Sequence, residues 1–276
     1  RDKRELELGK EHPLVAEALK GIGYAYALMG RDKEARPYIE QALAMVARTV
    51  GTGTVLWGIY SMFLGHVTQS SDPEGALDHV QRALDVFERV VPESKPAASA
   101  HRLLANFHLE LGNYAAAEPH ARRGLALIEK LYGPDNPDVS IVLNTLGAVL
   151  TRASRWDEAE QALRRSLDVI ERSMGREALD TAYSLVALGD LLLSRGRAGE
   201  ALEHLARATA IRTVQSDEAT DVADGTLLHG RALVALGQRQ EAVKVVKASR
   251  ARIATSAEVD AAVLARLDAW IKSPTP

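Results

Sequence analysis

A repeat of nearly constant length constrains this chain more than any other feature. Ala35, Ala76, Ala117, Ala159, Ala201 and Ala242 follow one another at intervals of 41 or 42 residues. A fixed period of this size marks arrays in which each unit buries its apolar side on the next. Seven residues after each alanine stands another small residue: Ala42, Ala83, Gly124, Ser166, Ala208 and Ser249. Five residues before each comes a small or turn-forming residue, Gly30, Ser71, Gly112, Ser154, Gly196 or Gly237, as expected where one helix ends and another begins. Twelve before come Gly23, Leu64, Ala105, Gly147, Gly189 and Gly230, with repeat two alone breaking the pattern because Gly65 sits one place off.

Small residues seven apart on a helix share one face two turns apart, so a neighbouring helix can approach closely there. The segment before each turn carries apolar residues at helical spacing, such as Leu143, Leu146, Val149 and Leu150, or Leu185, Leu188, Leu191 and Leu192. Each period therefore encodes two antiparallel helices, A and B. Asp72-Pro73-Glu74 and Asn136-Pro137-Asp138 read as helix starts, with a capping side-chain oxygen followed by proline at the first helical position.

Composition agrees. The chain is dominated by Ala, Leu, Arg and Glu, with 5% aromatic residues, which argues against an all-β protein. A hydrophobic share of 46%, a charged share of 26% and a net charge of −3 are those of a soluble globular protein. Without cysteine there is no disulfide framework, thiolate metal site or thiol nucleophile. No apolar run approaches the roughly 20 residues of a membrane helix, and no signal core follows Arg1-Asp2-Lys3-Arg4-Glu5, so a cytoplasmic protein is expected.

A small residue in helix A, a turn glycine, then alanine and a second small residue in helix B resembles the tetratricopeptide repeat. The period is about eight residues longer than the usual unit, and "EKLYGPDNPDVSIVLNTLGAVLTRASRWDEAEQALRRSLDVIE" resembles the long-helix form seen in kinesin light chains. The resemblance implies an all-α, right-handed superhelix forming one continuous array. Six repeats start near residues 12, 54, 96, 137, 178 and 219 and together fill 12–256. Residues 1–11 read as the end of a preceding repeat, because "LELGKEHP" echoes "KLYGPDNP". With no initial Met, the chain reads as a piece of something longer. Residues 257–272 form an expected capping helix, with Val259, Val263, Leu267, Trp270 and Ile271 on one face, and 273–276 an expected disordered tail.

Chemistry-bearing motifs are sparse. The eight histidines include no i, i+4 pair and no H-E-x-x-H, and His101 and His108 lack an obvious third ligand, so structural roles are expected and no metal or cofactor. Gly21-Ile22-Gly23 and Gly51-Thr52-Gly53 lack the third glycine and the strand of a phosphate loop. There is no G-x-S-x-G and no kinase loop, H-R-D or D-F-G motif. Arg122-Arg123 and Arg164-Arg165 are isolated pairs on outer helices in a slightly acidic chain, which makes a poor nucleic-acid surface.

Function is expected on the inner face built by successive A helices, an extended groove for a peptide or partner helix. The family resemblance turns inward the residues three before, one after, and four or five after the helix-A small position. These include Lys20 and Tyr24 in repeat one; Arg102, Asn106 and Glu110 in repeat three; Asn144, Thr151 and Arg152 in repeat four; Val186 and Asp190 in repeat five; and Arg231 in repeat six. None is named in repeat two, whose register is ambiguous. Arg102 followed four on by Asn106 is similar to the first half of a carboxylate clamp, although Tyr183 and Ala187 stand where its later basic residues belong. Asn144 resembles the kinesin-light-chain asparagine that bonds a ligand's backbone. The Ala/Arg-rich style resembles the arrays that follow bacterial serine/threonine kinase domains, which implies a non-catalytic protein- or peptide-binding scaffold in a signalling protein. A peptide-sensing receptor arm and a self-association module are the alternatives.

Overall fold

The computed structural model describes residues 13–216, 219–255 and 261–276, so residues 1–11, the first part of the expected capping helix and its Val259 lie outside it. The described residues form thirteen helices and no strand: α1 (Pro13–Leu28), α2 (Asp32–Thr49), α3 (Val55–Thr68), α4 (Pro73–Val90), α5 (Lys95–Glu110), α6 (Tyr114–Tyr132), α7 (Pro137–Arg152), α8 (Trp156–Met174), α9 (Leu179–Ser194), α10 (Ala198–Gln215), α11 (Ala219–Ala235), α12 (Arg239–Ile253) and α13 (Ala261–Lys272). The fold is an all-α helical repeat. The helices gather into two compact units that divide between Gly133 and Pro134, where a positive φ of 85° and the following proline end α6.

Helix starts follow local chemistry. Asp72 accepts the Gly75 amide at 3.0 Å, Asn136 that of Asp138 at 2.9 Å, and Ser94 that of Ala97 at 3.3 Å. Each satisfies an amide that has no partner inside its own helix. Between helices A and B the chain turns through a left-handed residue: Gly30, Gly112, Gly196 and Gly237, and Ser154 at φ 58°. Repeat two turns instead through Gln69–Asp72, without that residue.

In the first unit α1 pairs with α2, α3 with α4 and α5 with α6, and each pair rests on the next. Val15, Ala16 and Leu19 of α1 meet Ala42, Met45 and Val46 of α2 and Tyr60 of α3 in one buried cluster. In the second unit α7 to α12 pair likewise, with Ala182 and Leu185 packed on Ala208 and Ile211. There α13 lays Val263 and Leu267 on Val222, Ala223, Val246 and Ile253, and Arg250 grips Asp268 through two bonds of 2.7 and 2.9 Å. Beyond it, Pro274 is buried where a disordered tail was expected. Proline gives up little further conformational entropy on burial, which favours its docking.

The repeated small residues sit at the helix crossings. All six alanines of the period are fully buried. A Cβ on Gly147 would stand 2.4 Å from Cγ of Leu163, and one on Gly189 2.5 Å from Cγ of Leu205. Both leucines are themselves fully buried and cannot step aside. In repeat two the contact belongs to Gly65, whose Cβ would meet the Ala76 carbonyl at 2.8 Å. The register there therefore runs from Gly65, and the turn is one residue shorter than elsewhere.

Gly147→Ala gains about 1 kcal/mol of helix propensity but overpacks Leu163, which costs about 1–3 kcal/mol. A lowered urea midpoint is expected. Gly21→Ala, whose added methyl meets nothing within 4 Å, should raise it by the propensity alone; equal shifts for the two variants would show that the crossing is not tight.

Candidate functional site

The register that packs Gly23, Gly65 and Ala105 toward the B helices leaves the opposite faces of α1, α3 and α5 to form a cleft in the first unit. Its volume is about 460 Å³. Tyr24 of α1, Met62 and Phe63 of α3, and Leu103 and Phe107 of α5 make its apolar surface. Tyr24 meets Phe63 edge to face, with ring centroids 5.7 Å apart and planes at 86°. The Lys20 ammonium stands 5.3 Å from the Tyr60 ring centre and 6.0 Å from that of Phe63, close enough for the ring faces to attract it.

Polar groups ring this surface. Arg102, Asn106 and Glu110 descend one face of α5 at spacings of four, which brings them into line. His66 of α3 and Gln69 just past its end face them, and Gln69 donates its side-chain amide to the Glu110 carboxylate. The cleft thus offers guanidinium and amide donors beside aromatic and aliphatic surface, an arrangement that can bind a carboxylate or a peptide backbone while burying a side chain. Of the residues named from sequence, the structure brings together Tyr24, Arg102, Asn106 and Glu110, with Lys20 beside them. Sequence reasoning missed Met62, Phe63, His66 and Gln69. Counting from Gly65 would have found three of them, since Met62, His66 and Gln69 stand three before, one after and four after it.

The residues named in the second unit are occupied differently. Asn144 donates to the Ser184 hydroxyl at 3.1 Å, Ser184 and Ser166 are 2.9 Å apart, and Ser166 donates to the Asn144 oxygen at 2.7 Å. That closed ring engages the Asn144 carbonyl and one of its two amide N–H groups, and braces α7, α8 and α9 against one another. Thr151 is buried and its hydroxyl donates to the Gly147 carbonyl at 2.7 Å. Arg152 and Asp190 pair with each other at 3.1 Å. Val186 packs against the Ala182 and Leu185 cluster. Arg231 lines a smaller depression of about 380 Å³ with Leu193, Arg197 and Pro276. Tyr183, at a clamp position, bonds Asp221 and carries the Arg212 guanidinium over its ring at 4.7 Å.

Histidines gather outside the cleft, on the side of α5 that meets α6. His101 and His120 face each other through Nδ1 atoms 2.9 Å apart, and His108 stacks on His120 with centroids 5.8 Å apart. Sequence spacing could not supply His120, which the hairpin brings in from α6. Burial, the nearby His120 and then Arg123 hold His101 down at about 4. Burial likewise lowers His108, and burial together with His108 lowers His120. Among the described residues no group of three His, Asp or Glu is arranged to hold a metal, and no helix is long and apolar enough to cross a membrane.

Models of the tetratricopeptide repeat match residues 15–54, 96–168 and 138–213. No curated protein matches the chain by sequence. Among solved structures, BtubC (BKLC) from P. vanneervenii is similar over 91% of this chain and 94% of its own, at 18% identity and a TM-score of 0.63. Nearly identical TPR-like repeats of kinesin-light-chain type from Podosopora anserina cover 75% of this chain and 99% of their own, at 17% identity and a TM-score of 0.61. A Rap protein complexed with Competence and Sporulation Factor covers 94% of this chain and 74% of its own, at 11% identity and a TM-score of 0.68. At such identities the likeness shows the fold alone. With small residues at each crossing and a period of 41 or 42 residues, these matches show that the chain belongs to the tetratricopeptide repeat family.

Proposed function

We propose that the chain is a non-catalytic scaffold that holds a peptide or a protein segment in the cleft of its first unit. The observation that carries this reading is the meeting of Tyr24, Phe63 and Phe107 with Arg102 and Asn106 around one open cleft. The apolar surface takes an aromatic or branched side chain, Arg102 takes a carboxylate, and Asn106 bonds the backbone beside it. The similar fold of a Rap protein complexed with Competence and Sporulation Factor agrees with a holding role. The repeat length and Ala/Arg-rich style support a cytoplasmic place in a larger bacterial signalling protein, with a serine/threonine kinase as the attached domain. Binding of nucleic acid is disfavoured by the net charge of −3.

The test begins with peptides selected from a random library on the whole chain. Replacing Arg102 and Asn106 together by alanine should remove about 2 kcal/mol of charge-assisted hydrogen bonding, roughly thirtyfold in affinity, with helicity by circular dichroism unchanged. Unaltered affinity in a fluorescence-anisotropy titration would remove the site. Asn144→Ala should do the opposite: it leaves peptide affinity intact and lowers the urea midpoint, because breaking a buried hydrogen-bond ring costs about 1–3 kcal/mol. Weakened binding at unchanged stability would return Asn144 to the ligand surface.

A further inference from the structure

The three histidines on the hidden side of α5 are placed where they can act on the cleft. A neutral imidazole carries one donor and one acceptor nitrogen. Nδ1 atoms 2.9 Å apart therefore require His101 and His120 to hold opposite tautomers, one donating and one accepting. A first proton can enter at the far nitrogen of the donor ring and leave the bond standing. A second removes the acceptor, so two N–H groups and two positive charges then confront each other. His108, stacked on His120, adds a third site of the same sign.

Little stands ready to absorb that charge. The Nε2 of His101 and Nδ1 of His108 are buried without a hydrogen-bond partner among the described residues. From α4, Glu88 brings a carboxylate oxygen within 3.4 Å of His101 Nε2, outside hydrogen-bond geometry and on a half-exposed side chain. From α6, Arg123 opposes protonation of His101. From α3, the titratable groups are Tyr60, which is buried against α1 and α2, and His66, which lines the cleft and not the stack.

The stack also lies beside a close approach of its two helices. A Cβ on Gly124 of α6 would stand 3.3 Å from the Ala98 carbonyl, 3.5 Å from His101 Cβ and 3.6 Å from the Arg102 amide nitrogen. His101 immediately precedes Arg102, and His108 immediately follows Phe107. Any force that parts α5 from α6 here therefore moves cleft residues on the same turns of helix.

We propose that the stacked His101, His120 and His108 form a proton-operated latch, which at neutral pH holds α5 against α6 and on acidification releases it, displacing Arg102 and Asn106. This regulation rests on the reading of the cleft as the binding site. The sign follows from linkage. All three folded-state values lie below the ordinary histidine value of 6.5, His101 at about 4. The unfolded or parted state therefore binds more protons, and the latch's contribution, complete above 6.5, is lost as pH falls toward about 4.

Imidazole nitrogen spectra of the whole chain, recorded from pH 8 to pH 4 together with the side-chain amide signal of Asn106, test this without any ligand. At neutral pH His101 and His120 should show opposite neutral tautomers. On acidification the Asn106 signal should move together with the second protonation of the pair. In His120→Gln, which cannot titrate, that movement should vanish; in His108→Phe, which keeps the stack and removes one like charge, it should shift to higher pH. The proposal fails if His101 and His120 titrate independently near 6.5, or if Asn106 follows the wild-type course in either variant. Because no peptide is present, these outcomes are separate from whether the cleft binds one.

Discussion

Where the two helices of a repeat cross, there is no room for a side chain beyond the few carbons already present. Gly23 lies over Ile39, Gly65 over Val80, Gly147 over Leu163 and Gly189 over Leu205, each within a distance that forbids even a methyl group without displacement. Such crossings fix the rotation of helix A about its own axis, because only one face can come this close. Once that face is set, the opposite faces of α1, α3 and α5 are set with it. The cleft is a consequence of packing on the far side of the same helices.

The second small position of helix B shows what the constraint demands when it is met by a polar residue. Ala42, Ala83 and Ala208 need nothing further, whereas Ser166 and Ser249 bring buried hydroxyls. An unpaired buried hydroxyl would cost more than the packing gains, so partners come from the neighbouring A helices: Asn144 and Ser184 for Ser166, and Thr226 for Ser249 at 2.8 Å. Arg195 and Arg197, in the turn of the fifth repeat, reach back to Glu160 in the fourth at 2.8 and 2.6 Å. Polar side chains in the second unit thus serve cohesion between repeats, while those of α5 in the first unit line an open cleft.

Periodicity made the helix pairs, the turns and the small-residue crossings legible, because each depends on residues close in sequence or on one face of one helix. The candidate site was legible only where the register was regular. Tyr24, Arg102, Asn106 and Glu110 fell out of counting from Gly23 and Ala105, but α3 did not, because a turn one residue shorter hides Gly65 behind Leu64. The hydrogen bonds of Asn144 and Thr151 were not legible for a different reason. Whether an inward polar residue meets a ligand or a neighbour depends on the side chain forty residues away, as Ser184 shows, and no local pattern carries that information. His120 was hidden in the same way, since its partner His101 belongs to the other arm of a hairpin.

Under the proposed function, the faces of α1, α3 and α5 that look away from the glycine crossings hold the partner. Amide chemical-shift mapping of the whole chain, titrated with a library-selected peptide, tests that placement residue by residue. Perturbations clustered on Tyr24, Phe63, Arg102 and Asn106 are the predicted result. Perturbations confined to the outer faces of α2, α4 and α6, around residues such as Arg82 and Arg122, would contradict it.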